Sequence, residues 1–130
     1  MTGIRFLSFS YTVNTACYGD VYYDLKRENE EYTVQICPDG VPSEKAFRCQ
    51  ADEPFAEEIA ALLRQYKVSQ WNGFHKVNKR ILDGRSFTLV VHFENGEEIH
   101  AHGYMRYPKH YREVRDAIDA CFMRLYVPQE

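Results

Sequence analysis

Residues 92–103, HFENGEEIHAHG, hold three histidines and three glutamates. Imidazole and carboxylate groups are the ligands that zinc and other late first-row metals commonly take in proteins. His92, His100 and His102 could bind one metal ion if their side chains point to the same side of a strand pair. Glu98 could then act as a fourth ligand, or as the base that activates a metal-bound water. The stretch therefore predicts a candidate zinc site.

The register of the surrounding hairpin decides where these side chains point. A two-residue turn at Asn95 and Gly96 would place apolar and charged side chains on the same face of the strand pair. A three-residue loop over residues 94–96, with Gly96 at positive φ, instead pairs Val91 with Ile99 and gives one apolar face. A slip of one residue would reverse this pattern. We therefore expect the bulged loop, with all three histidines on the polar face.

An alternative for these histidines is that they are ordinary polar side chains on the solvent-facing side of a sheet. Their spacing is less specific than that of H-E-x-x-H, in which one helix face presents both imidazoles. No second set of residues that would orient the imidazole rings is evident in the sequence. A metal-dependent hydrolase using His92, His100 and His102 is therefore the alternative hypothesis for function, and not the leading one.

A second candidate site is the tyrosine- and arginine-rich run GYMRYPKHYR at 103–112. Tyrosine and arginine are favoured in protein interfaces because they combine a large contact area with a polar tip. The candidate binding residues in this run are Tyr104, Arg106, Tyr107 and Arg112. The structural alternative is that the neighbouring Tyr111 belongs to a buried helix stripe and that the other residues surround the start of that helix.

Local patterns predict the elements that must position these residues. Runs rich in Ile, Val, Tyr and Phe favour strands at 4–12, 21–27, 32–37 and 45–50, followed later by the hairpin described above. The sequence between the predicted helices, from 67 to 77, is interpreted as a loop that Trp71 and Phe74 attach to the core.

Two helices are predicted. Asp52 can cap the first, Pro54 suits its first turn, and Phe55 begins an apolar stripe with helical spacing. The second is predicted over residues 108–126, with Pro108 near its start. The order of elements indicates an α+β fold: a mainly antiparallel sheet of about five to six strands with two helices packed on one face.

Length and composition limit the classes of protein to consider. The chain has 130 residues, which predicts a single domain over 1–130, and its net charge of −3 argues against a nucleic-acid partner. No apolar run is long enough to span a membrane, and Met1 leads directly into strand-like sequence, so we expect a cytoplasmic protein. Residues 1–65 carry a net charge of −5 and 66–130 carry +2, which would suit association of copies in a homodimer.

Motifs for covalent catalysis are missing from the sequence. There is no G-x-S-x-G, no phosphate-binding loop and no dinucleotide-binding glycine pattern. The four cysteines are scattered without a C-x-x-C pair, which favours free thiols over zinc or disulfide roles. Cys17 lies in loop-like sequence, but nothing in the sequence pairs it with a base.

Residues 71–111 resemble a family of small uncharacterised bacterial proteins. The resemblance rests on WNGF at 71–74 and on ILDGRSFTLVVHFENGEEIHAHGYMRYPKHY at 81–111, which follow the family pattern W-x-G-F, D-G-x-S-F-x-L, N-G or D-G, A-x-G-Y and a proline-led final helix. The resemblance implies the fold of the second half of the chain and carries no activity. It also implies that His100 and His102 are particular to this chain, since small polar residues are frequent at these positions in the family.

The leading hypothesis is a non-enzymatic interaction or regulatory module. It would bind a protein partner, or a second copy of the chain, through the exposed face of the sheet or through residues 104–112. The hypothesis requires no cofactor, whereas the hydrolase alternative requires zinc or a similar metal.

Overall fold

The computed structural model of the chain describes residues 6–15, 19–29, 31–38, 40–80 and 84–127. Cys17 and the first two residues of the strand predicted at 4–12 lie outside these ranges. No helix among the described residues has the length and apolar character needed to cross a membrane.

Seven strands and two α-helices make up the described fold. The strands are β1 (Phe6–Thr15), β2 (Gly19–Glu28), β3 (Glu31–Cys37), β4 (Phe47–Ala51), β5 (Phe74–Val77), β6 (Arg85–Phe93) and β7 (Glu98–Tyr104). The helices are α1 (Glu53–Gln65) and α2 (Tyr111–Met123), with short 3-10 helices at Ser43–Lys45 and Val68–Trp71. The strands form one sheet in the order β4-β3-β2-β1-β6-β7-β5. The α+β class is confirmed, and the strand count is seven where five to six were predicted.

Apolar and polar side chains alternate along the strands, so the sheet has one apolar and one polar face. Phe9 and Tyr11 of β1 are opposite Leu25 and Tyr23 of β2, and all four side chains are buried. The helices cover this face, where Phe122 of α2 stacks on the rings of Phe9 and Tyr23 at 5.7 and 5.2 Å. We call the opposite, polar side the open face.

The first helix follows its sequence signals. The Asp52 side chain accepts a hydrogen bond from the Phe55 backbone N–H at 3.1 Å, so it satisfies a donor at the helix start, as predicted. The apolar stripe that begins with Phe55 is buried against the sheet and α2. The helix ends before Lys67, whose φ of 54° is left-handed.

The second helix is shorter than predicted. It begins at Tyr111 and ends at Met123, whereas the apolar pattern suggested 108–126. His110 has a φ of 65°, a left-handed conformation that an α-helix cannot contain, so Pro108 belongs to the preceding turn. The Pro108 carbonyl accepts a hydrogen bond from the Tyr111 N–H at 3.2 Å.

The strand that the sequence did not predict is β5. It lies at the edge of the sheet and pairs in parallel with β7, with Phe74 opposite Ala101 and Val77 opposite Tyr104. Three of its four residues are exposed, so the short segment lacks the apolar alternation of a covered strand. Its conformation depends on a partner 27 residues later in the chain.

Candidate functional site

The hairpin between β6 and β7 has the predicted three-residue bulged loop. Gly96 has a φ of 93°, and the Phe93 N–H donates to the Glu97 carbonyl at 2.9 Å. Val91 is opposite Ile99, and both side chains are buried on the core face. The histidines of β6 and β7 therefore lie on the open face, as the register requires.

Two imidazoles and one carboxylate converge beside this loop. The Oε1 atom of Glu98 lies 2.9 Å from Nε2 of His100 and 3.1 Å from Nδ1 of His92. His92 is directly opposite Glu98 across the ladder, and His100 lies two residues further along β7. One ligand atom from each residue falls within 4.8 Å of the other two. We call His92, Glu98 and His100 the His-Glu-His cluster.

The remaining predicted ligand, His102, is held by another contact. Its Nδ1 atom is hydrogen-bonded to Oγ1 of Thr88 at 2.9 Å, directly across the ladder. On its other side the neighbouring residue in register is His75 of β5. The structure therefore brings together three of the four predicted ligands and places His102 next to Thr88.

The cluster is accessible to solvent. The side chains of His92, Glu98 and His100 are 40%, 48% and 45% exposed. The hydrogen bond with His100 holds the pKa of Glu98 below its usual value, and the neighbouring His92 acts in the same direction. A carboxylate that stays charged and two half-exposed imidazoles form a donor set that an ion in solution can reach.

The backbone around His100 is fixed from outside the hairpin. The His100 N–H donates to Oδ1 of Asn72 at 2.9 Å, and the His100 carbonyl accepts from the Gly73 N–H at 2.9 Å. Gly73 has a φ of 88°, which glycine adopts without strain. The segment before β5 therefore holds the backbone of His100 in place.

A separate groove with an aromatic floor lies between the end of α1, β5 and the loop before α2. Its volume is about 760 Å³. Trp71 and Tyr107 line it, together with Tyr66 and Phe74. Trp71 is 5% exposed and packs against Tyr111 at a ring distance of 6.0 Å. The floor is therefore a continuation of the core.

The rim of this groove is positively charged. Lys67, Lys76 and Lys109 line it, and none of its described lining residues is acidic. Among the described residues, no carboxylate forms an ion pair with any of these three lysines. The Lys76 ammonium lies 5.5 Å from the centre of the Phe74 ring. We call this site the basic groove.

The four predicted binding residues separate into two groups. Tyr107 lines the basic groove and is 43% exposed, and its ring packs on Tyr111 at 4.6 Å. Tyr107 and Arg112 also line an adjoining groove of about 630 Å³ that contains Arg85. These two residues therefore remain candidates for contact with a partner.

The other two predicted residues do not line either groove. The Tyr104 hydroxyl accepts a hydrogen bond from the Gly84 N–H at 2.8 Å, which ties β7 to the start of β6. Arg106 is exposed, and its carbonyl oxygen approaches Gly103. Tyr111 is buried, which confirms the structural alternative for that residue.

Sequence reasoning missed Lys67, Lys76 and the part that Trp71 plays in a groove. The signal was present as a local charge bias: residues 64–80 contain five basic and no acidic side chains, and 104–112 contain three basic and none acidic. Only the fold shows that these two segments face each other.

Comparisons with known proteins add no family to this description. No protein-family model matches the chain, and no curated protein matches it either. The resemblance of residues 71–111 to small bacterial proteins stays a prediction. The His-Glu-His cluster and the basic groove are therefore the two features of the structure that bear on function.

Proposed function

We propose that this chain is a non-enzymatic interaction module that binds an acidic segment of a partner protein in the basic groove. The observation that carries the proposal is the set of three lysines without an acidic partner among the described residues, arranged around an aromatic floor. Uncompensated charge at a groove favours an oppositely charged ligand and accelerates its encounter.

The aromatic floor supports a polypeptide ligand. Trp and Tyr side chains are enriched among the residues that dominate binding energy, because each provides a large rigid contact area with a polar tip. Tyr107 is 43% exposed at the edge of the groove, although its ring packs on buried neighbours. An apolar or aromatic side chain of the partner can cover Tyr107 while flanking carboxylates contact the lysines.

The charge of the whole chain favours protein over nucleic acid as the partner. The net charge is −3 and the isoelectric point is about 6.0, so the basic region is local. Nucleic-acid binding releases counterions from many phosphates and usually requires a basic stripe over a larger surface. A short acidic segment of a protein matches a groove of about 760 Å³ better than a nucleic acid does.

A cytoplasmic location belongs to the proposal. Cys37, Cys49 and Cys121 are free thiols, and none forms a disulfide with another described residue. Free cysteines suit a reducing compartment, where disulfides are rare.

Fluorescence of Trp71 tests the proposal directly, because it is the single tryptophan of the chain and lines the groove. The probe is a glutamate-rich peptide containing one phenylalanine, titrated at low and at moderate salt. We expect saturable quenching or a spectral shift of the Trp71 fluorescence. The peptide affinity derived from it should fall as salt rises, because the electrostatic screening length shrinks to about 10 Å at 0.1 M. A lysine-rich peptide of the same length should give no change.

The double variant Lys67→Glu/Lys76→Glu should abolish the response. The matched control is Lys26→Glu/Lys45→Glu, which makes the same charge change at exposed positions on β2 and in the first 3-10 helix. Equal loss in both variants would contradict a groove-specific site. Preference for a single-stranded oligonucleotide over the acidic peptide would replace the proposed partner class with nucleic acid.

A further inference from the structure

We propose that the His-Glu-His cluster on the open face is a binding site for Zn²⁺ or another late first-row divalent cation. The ligands are an imidazole nitrogen of His92, a carboxylate oxygen of Glu98 and an imidazole nitrogen of His100. This site is separate from the basic groove, so it does not depend on the proposed protein partner.

The distances between the donor atoms fit one small ion. Ligand bonds of about 2.0 to 2.2 Å in a tetrahedral zinc site place neighbouring donor atoms roughly 3.3 to 3.6 Å apart. The Glu98 oxygen is 2.9 Å from one imidazole nitrogen and 3.1 Å from the other, and the whole set falls within 4.8 Å. Binding therefore needs small side-chain adjustments and no change of strand register.

Rigid elements hold the three ligands. His92 and Glu98 are cross-strand partners in the ladder, and the bulged loop at Gly96 closes the two strands beside them. Asn72 and Gly73 contact the backbone of His100. The backbone entropy lost on ordering the ligands is thus small, because the fold has already set the separation of their Cα atoms.

The donor set selects the class of metal. Two imidazoles with one carboxylate suit zinc, cobalt, nickel and copper, whereas magnesium and calcium prefer sites built from oxygen atoms. Half-exposed side chains leave at least one coordination position for water or for a group from another molecule.

His102 is outside the ligand set, which gives the inference an internal control. Its Nδ1 atom is hydrogen-bonded to Thr88, although it shares the open face and strand β7 with His100. If any histidine on this face could serve as a ligand, His102 would contribute to metal binding. If the ligands are those of the His-Glu-His cluster, His102 contributes nothing.

Isothermal titration of Zn²⁺ into the untagged full chain tests the inference. We expect one ion per chain, with affinity reduced at least about tenfold in His92→Ala, Glu98→Gln and His100→Ala, since even residues behind the ligands commonly have effects of that size. His102→Ala should bind zinc like the wild type. Urea unfolding of each apo variant verifies that it folds.

Substitution with Co²⁺ gives a second readout. The visible absorption of bound Co²⁺ reports its coordination geometry and differs from that of the hydrated ion, and this difference should disappear in His100→Ala and persist in His102→Ala. The inference is overturned if micromolar zinc fails to bind the wild type, or if His102→Ala loses as much affinity as His100→Ala. Equal affinity for Mg²⁺ and Zn²⁺ would also overturn it, because that outcome indicates nonspecific attraction to a carboxylate.

Discussion

The hydroxyl groups of Tyr11 and Tyr111 form a buried hydrogen bond that joins the central strand β1 to the first residue of α2. Burial raises the pKa of Tyr111 to about 12, and burial beside the Tyr111 hydroxyl raises the pKa of Tyr11 further. The pair therefore resists ionisation as long as the chain is folded.

The first prediction concerns stability at high pH. In the unfolded chain both tyrosines ionise near 10.0, so the folded chain binds their protons more tightly. Their contribution to the free energy of unfolding is full below pH 10 and is lost as the pH rises toward 12 and beyond. Urea unfolding monitored by circular dichroism should show this fall, and Tyr111→Phe should reduce its steepness. An unchanged profile in Tyr111→Phe would contradict the role of the pair.

The buried part of Asp24 affects how stability depends on pH between acidic and neutral conditions. This carboxyl lies on the open face of β2, between Ser10 and Gln35, and partial burial raises its pKa above the ordinary 3.8. Because the pKa of the Asp24 carboxyl is higher in the folded chain than in the unfolded chain, the contribution of this group to stability is full below pH 3.8. That contribution is lost as the pH rises through the pKa of the folded chain. Asp24→Asn should therefore increase the free energy of unfolding at neutral pH.

The difference between wild type and Asp24→Asn should shrink as the pH falls toward 3.8. Asp20→Asn, which also removes one negative charge from β2, is the control for a general charge effect. A loss of stability at neutral pH in Asp24→Asn would mean that the ionised carboxylate is needed for the fold.

Any side chain added at Gly103 should clash with its neighbours. A Cβ atom at this position would lie 2.0 Å from the Arg106 carbonyl oxygen and 2.7 Å from Cε1 of Phe87. Since one of these atoms belongs to the backbone, Gly103→Ala should lower the free energy of unfolding by about 3 kcal/mol, as overpacked cores do. Gly96→Ala meets open space and only strains a positive φ, so about 1 kcal/mol is expected there. Equal losses by chemical denaturation would contradict this assignment.

Tyr107 and Tyr104 should have separable roles. Tyr107→Ala removes an aromatic side chain at the basic groove. It should therefore weaken binding of the acidic peptide by at least about 1 kcal/mol, as truncation of interface anchors does. Tyr104→Phe removes only the hydroxyl that accepts from Gly84, so it should lower stability and leave peptide affinity unchanged. Peptide titration and urea unfolding of both variants measure the two effects. Loss of affinity in Tyr104→Phe alone would reassign the contact surface.

Much of the fold follows from local sequence. The register of β6 and β7 is decided by one positive-φ glycine and by strict alternation, so the placement of the histidines on the open face could be predicted. The start of α1 is likewise determined within a few residues, because Asp52 and Pro54 satisfy the helix end by themselves.

Long-range contacts decide the features that could not be predicted. The strand β5 forms only because β7 supplies hydrogen bonds along an edge. Whether His102 joins the other histidines depends on the hydroxyl of Thr88 across the ladder, which competes for its nitrogen. The basic groove unites Lys67 and Lys109, and no local pattern measures the distance between them.

The central position of β1 also bears on how the chain is made. Its neighbour β2 follows almost immediately in the sequence, but its other neighbour, β6, begins 70 residues after β1 ends and is therefore synthesised much later. Until then the growing polypeptide presents an unpaired, aromatic-rich edge, the kind of surface to which chaperones and other nascent chains adhere. We therefore expect slow translation between Thr15 and Arg85 to lengthen the time for which this edge of β1 is unpaired.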